Sequence, residues 1–190
     1  MPATNAPFGL EPIRHASGQV LFETAQIAGA YASAIYKNSP IKFLDDGTIG
    51  IAVSGDAFVG SFQGCKFTDA TGRPRMENHW PAGQTIMTGT TVEAFITRDP
   101  GVIYRIQADG PMEQTDIGNC ADFTVLADDT GSTATGLSTA TMMAASSTTM
   151  QQLQIVGFEP GPHNAFADAF PIALVMIAEH QLRAVAAAGI

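Results

Sequence analysis

Apolar residues in this 190-residue chain come in short runs of strand type, each closed off by Gly, Pro, Asn or Asp, and almost nowhere at the spacing of an amphipathic helix. Residues 20–22, 33–36, 41–44 and 49–53 are such runs, and Asp46-Gly47 between the last two is a tight hairpin signal. Residues 57–62 and 65–68 follow, with Gly64 placed where a bulge or a close backbone approach fits. Residues 91–97 and 102–107 flank Asp99-Pro100-Gly101, a turn by its chemistry. In the second run Val102, Tyr104 and Ile106 alternate with Ile103, Arg105 and Gln107, so the pair is expected to be a hairpin with one buried face. Residues 152–158 and 171–180 complete the set, joined through 159–170. The pattern predicts an all-β protein, a single β-barrel or β-sandwich of jelly-roll-like architecture, with a β-tulip arrangement as second choice.

The ends and one internal stretch depart from this rhythm. Pro2, Pro7 and Pro12 remove backbone donors and bias their predecessors to extended geometry, so residues 1–15 are expected to be an extended arm. Phe8, Leu10 and Ile13 within it are costly to leave in water and should dock on the same subunit or on a neighbour. The β domain is then residues 16–190. Residues 128–150, rich in Ser and Thr with interspersed Gly and Ala, hold neither strand nor helix period and are expected to be a long surface loop. Residues 184–188 have the composition of a marginal helical turn.

A chain of this length buries its own core without disulfides. Cys65 and Cys120 lack any CxxC or metal-ligand spacing and read as small buried hydrophobes. Only 14% of residues are charged, against roughly 25% in ordinary globular domains, so either partners cover part of the surface or uncharged polar residues solvate it. The formal charge of −9 opposes binding to a polyanion, and no basic cluster interrupts it, so direct nucleic-acid contact is not expected. The start of the chain lacks the basic and apolar regions of a signal peptide, and the apolar stretch 169–178 is too short to span a bilayer and contains Pro171. A soluble protein with no membrane contact is the expectation.

The sequence offers little chemistry. His15, His79, His163 and His180 stand far apart, in none of the spacings that mark a metal site, and neither a GxSxG elbow nor a phosphate-binding glycine loop occurs. Asp45-Asp46 and Asp128-Asp129 each precede a glycine within two residues and read as turns rather than as a catalytic pair. A calcium loop at 128–130 would lack the regular spacing of an EF-hand. No catalytic residue, metal or cofactor is therefore assigned. Trp80, beside His79 and Pro81, either anchors the 72–84 loop or offers a flat face to a sugar.

Several stretches carry a resemblance. The segments FVGSFQGCKFTDATGRPRMENHWP and DPGVIYRIQADGPMEQTDIG, the opening NAPFGLEPIRH and the closing LQIVGFEP and AEHQL resemble a family of virion structural proteins of tailed bacteriophages, thought to decorate or cement the head. The family's YTD–G–P–WPxG pattern is matched by Phe67-Thr68-Asp69, Gly72, Pro74 and Trp80-Pro81-Ala82-Gly83, with Phe67 where tyrosine is usual. The resemblance implies a capsid decoration (cement) protein, made in the bacterial host cytoplasm and bound to the outer surface of the head. Its partners would be the major capsid protein and other copies of itself, as a trimer or a dimer. Phe8, Leu10, Ile13, His79, Trp80 and Pro81 are the expected capsid or subunit contacts. The alternative is a virion-surface carbohydrate-binding module that uses Trp80 against host polysaccharide.

Overall fold

The computed structural model describes residues 4–124, 131–144 and 146–183. Among these, the regular structure is strand apart from one 3-10 turn at Gln114–Asp116, so the all-β expectation holds. In chain order the strands are β1 (Glu11–His15), β2 (Glu23–Ile27), β3 (Pro40–Phe43), β4 (Ile49–Ile51), β5 (Gly60–Thr68), β6 (Pro74–Glu77), β7 (Val92–Thr97), β8 (Val102–Gln107), β9 (Cys120–Ala121), β10 (Phe123–Thr124), β11 (Thr141–Met142), β12 (Leu153–Phe158) and β13 (Ile172–Ile177).

Two antiparallel sheets carry the core between them. One has the order β1-β8-β13-β12-β9; the other has β2-β7-β5-β3-β4, with β6 sharing the β3 side of β5. Alternate residues of facing strands point inward, as the two-residue period of a strand requires. Val92, Ala94 and Ile96 of β7, Val102, Tyr104 and Ile106 of β8, and Ile155, Val175 and Ile177 of β12 and β13 join one buried cluster with Phe58 and Phe62. The sheets form an open sandwich, not a closed barrel. Tyr31, just beyond β2, links the two edges of the second sheet through one bond, its hydroxyl accepting Ile51 N–H at 3.1 Å. A minor ladder pairs β10 with β11, and this is where part of the Ser/Thr-rich stretch lies; Asp128-Asp129 and residues 184–188 fall outside the described residues.

Some local readings hold in detail. Asp46-Gly47 turns the β3–β4 hairpin, with Asp46 Oδ1 accepting Thr48 N–H at 2.9 Å. The 57–62 and 65–68 runs fuse into β5, and its register against β7 shifts between Phe62 and Gly64. A side chain at Gly64 would press on the Glu77 carbonyl of β6, 2.9 Å from its Cβ position. The 152–158 and 171–180 runs give the strands β12 and β13, which pair with each other.

The 91–107 segment is a correction. β7 and β8 do not form a hairpin: β7 lies between β2 and β5 in one sheet, and β8 between β1 and β13 in the other. Asp99-Pro100-Gly101 does turn the chain, Asp99 Oδ1 accepting Gly101 N–H at 2.8 Å, but the turn is an arch from sheet to sheet. Each strand has both edges taken, and their apolar sides face one another across the core. At the crossing Thr97 Oγ1 lies 3.1 Å from Tyr104 Oη and 3.1 Å from Ser61 Oγ, a buried polar chain that bridges the sheets. Burial pushes the Tyr104 phenol well above its ordinary value, so it remains a hydrogen-bonding hydroxyl. Residues 20–22 are not a strand in the isolated chain, and 33–36 contribute only the bridge Ile35–Trp80.

Candidate contact surfaces

The N-terminal segment is fastened to its own sandwich. Residues 11–15 are the edge strand β1 on β8, with a register shift between Pro12 and Arg14. Before it, Leu10 N–H donates to the Asn38 carbonyl at 2.8 Å and the Asn38 side-chain amide donates to the Phe8 carbonyl at 3.0 Å. Gly9 between them has φ 77° and sits so close that an added Cβ would lie 2.5 Å from the Asn38 oxygen, so only glycine fits. The Gln107 side chain accepts Ala6 N–H at 2.9 Å and donates to the Thr4 carbonyl at 2.9 Å.

These bonds decide where the three apolar residues go. Leu10 is fully buried in the core. Phe8 is half-buried under the Arg105 guanidinium, which lies 5.2 Å from its ring centroid. Arg105 in turn bonds Glu11 at 2.7 Å and Glu159 at 2.8 Å, and these acceptors hold its pKa above the ordinary value. Ile13, in the shifted part of β1, stays 39% exposed.

The Trp80 loop is equally tied down. Trp80 is fully buried, edge-on to Phe67 with centroids 5.4 Å apart, and its backbone exchanges hydrogen bonds with Ile35 at 2.7 and 3.0 Å. Its indole N–H reaches the Tyr31 carbonyl at 3.4 Å. Trp80 has no free face to offer a sugar ring, so a glycan platform cannot be built on it. His79 and Pro81 beside it are half-buried, His79 stacked on Tyr36 with centroids 5.7 Å apart and planes 9° from parallel.

Asp69 orders the start of this loop. Its carboxylate accepts from the Thr71 hydroxyl (2.6 Å), Thr71 N–H (2.9 Å), Arg73 N–H (3.0 Å) and Arg75 Nε (3.2 Å). Those donors, the Thr71 hydroxyl foremost, hold its pKa far below the usual carboxylate range. These bonds all come from residues 71–75, the turn from β5 into β6, which marks the carboxylate as a structural knot. Cys65, packed beneath, has its thiol pushed up to about 12 by burial and by Glu77, so it is a poor nucleophile. Among the described residues no three His, Cys, Asp or Glu side chains gather into a metal-holding group, and no helix is long and apolar enough to cross a membrane.

Of the expected contacts, Leu10 and Trp80 are fully enclosed while Ile13 stays exposed, and further apolar side chains are exposed elsewhere. Leu21 and Phe22, adjacent in sequence, are 61% and 58% exposed, and Met76 on β6 is 76% exposed. Leu21 and Phe22 lie in the connection from β1 to β2, hence at the end of the sandwich where the chain passes between sheets. That end is pinned around them, by His15 to Asp99 at 3.5 Å and by Arg98 Nε to Glu23 at 2.7 Å. The sequence held a signal for this pair: neighbouring apolar residues in extended chain point to opposite sides, so a single sheet face cannot bury both. Compared with known proteins, the chain matches no family model, no curated protein and no solved structure.

Proposed function

We propose that this protein is a capsid decoration protein that binds the outside of an assembled phage head and stabilises the lattice of the major capsid protein. The reading rests on the sequence resemblance. The observation that carries it is the Leu21–Phe22 pair, held outward at a pinned end of an otherwise well-packed sandwich. Covering such side chains is worth roughly 1.5–3 kcal/mol each, a strong incentive to bind a surface. A protein that binds the mature lattice better than its precursors stabilises it by mass action. Assembly of the protein into a trimer or dimer would multiply the effect, since later contacts form at high effective concentration. The charge of −9 suits the outer face of a DNA-filled shell.

The test uses Leu21→Ser/Phe22→Ser protein and wild type, each incubated below saturation with heads of the encoding phage that lack it. Copy number is read by gel densitometry. Occupancy is expected to fall at least about tenfold, the equivalent of about 1.4 kcal/mol per copy. Undiminished occupancy by the folded double variant removes this pair from the contact. Wild-type protein located only in the tail or inside the head, by cryo-electron microscopy of intact virions, removes the decoration reading altogether.

A further inference from the structure

The chain does not end its structural work with β13. Residues 178–183 cross to the second sheet: the Glu179 carbonyl accepts Phe58 N–H at 3.1 Å, and the Phe58 carbonyl accepts Gln181 N–H at 3.0 Å. The Gln181 side chain then accepts Phe43 N–H at 2.7 Å and donates to the Phe43 carbonyl at 3.2 Å, in the manner of one more strand residue beside β3. This strap joins both sheets and, among the described residues, follows the last strand; Ala178 N–H still donates to the Gln152 carbonyl at 2.9 Å at the head of β12, so residues 179–183 can detach while the β12–β13 ladder stays paired.

His180, within the strap, is fully buried. Its Nδ1 accepts Leu182 N–H at 3.1 Å, so the neutral ring carries its proton on Nε2, which is buried with no close hydrogen bond and is turned toward the Arg98 and Val59 backbone. A protonated ring has an N–H at both nitrogens and would set a donor against the Leu182 donor. The charges facing it are few. Arg183 comes from the strap itself and opposes protonation; Asp99, from the arch, favours it but is shared with His15 at 3.5 Å. Arg98 and Val59 face the ring with backbone groups that favour the charged form. Burial is the largest influence and outweighs these, holding the ring's pKa below its ordinary value.

We propose that His180 is a proton-operated catch: a second proton taken up on acidification ends the Leu182 contact and frees residues 179–183 from Phe58 and Phe43, while the sandwich stays folded. The direction follows from linkage. The folded ring titrates below the unfolded value of about 6.5, so the stabilisation from the neutral ring is complete above that pH and is lost as pH falls through the folded value. Release uncovers the β3 backbone at Phe43 and the core rim at Phe58.

Amide hydrogen exchange by NMR on the full chain, corrected for intrinsic chemistry, tests the catch. Between pH 7.5 and 5.5 the opening equilibrium at Phe43, Phe58 and Gln181 should rise, by at most about tenfold, the limit for one proton taken up at an open-state value of about 6.5. Ile96 and Val175, in strand interiors, should remain far better protected than these three amides at every pH, which marks the opening as local. His180→Asn, which keeps an acceptor near Leu182 without a titrating ring, should abolish the rise, and His15→Gln should leave it intact. An equal rise in His180→Asn, a rise lost in His15→Gln, or no rise in wild type overturns the proposal. Should His180→Asn fail to fold, the wild-type ring resonance decides: a midpoint below 6.5, with opening that rises from about pH 6.5 and levels off at that midpoint, supports the catch, and a midpoint at or above 6.5 defeats it.

Discussion

Residues 8–10 and 20–22 are alike on paper, each a short apolar stretch with a phenylalanine and a leucine near the start of the chain, yet the fold buries one and presents the other. Leu10 reaches the core because the backbone on either side is held, by Asn38, by Gln107 and by the β1–β8 ladder. Leu21 and Phe22 lie between two strands that belong to different sheets, and no ladder partner fixes their backbone. Hydrophobicity sets what burial is worth; available backbone partners decide which residues receive it.

That contrast can be broken by mutation, most severely in the parts that are fastened. Trp80→Ala should cost about 3–5 kcal/mol by denaturant melting, since it empties a fully enclosed site; a loss under about 1 kcal/mol would mean the loop is not anchored there. Leu10→Ala should cost about 2–5 kcal/mol, which separates a latched segment from a dispensable arm. Tyr104→Phe, removing one hydroxyl from the Tyr104–Thr97–Ser61 chain, should cost about 1 kcal/mol. The Asp69 knot is a pH experiment. Its folded pKa is depressed, so its contribution is present above the unfolded value of about 3.9 and fades as pH falls through the folded value; Thr71 and Arg73 amide shifts should stay flat from pH 7 to 5. At the presented end, Leu21→Ser/Phe22→Ser should change stability by no more than about 0.5 kcal/mol by the same denaturant melting.

Features settled by a few neighbouring residues were legible in the sequence. The Asp46-Gly47 hairpin, the irregularity at Gly64 and the strands β12 and β13 all follow from local turn chemistry and short apolar runs. The anchoring role of Trp80 was legible as one of two readings, and its burial selects between them. The β7–β8 arch was not legible, because Asp-Pro-Gly reverses a chain equally well within a sheet and between sheets, and strand alternation is the same in both. Only the distant partners distinguish them. The fate of the contact candidates was hidden for the same reason: Leu10 is buried by Asn38 and Gln107, which nothing near it in sequence announces.

The arch also governs how the chain can be born. A hairpin at 92–107 could have zipped as soon as it left the ribosome, but β8 must wait for β13, whose residue Leu174 pairs with Arg105, and β1 must hold unpaired until β8 arrives. Folding therefore depends on long-range closure and should be slow, on the order of milliseconds to seconds, as in other sandwiches dominated by non-local pairing. Until the last strand is made, the apolar faces of β7 and β8 have no complete sheet to share. Nascent chains arrested before residue 171 should for that reason depend on chaperones far more than the finished protein does.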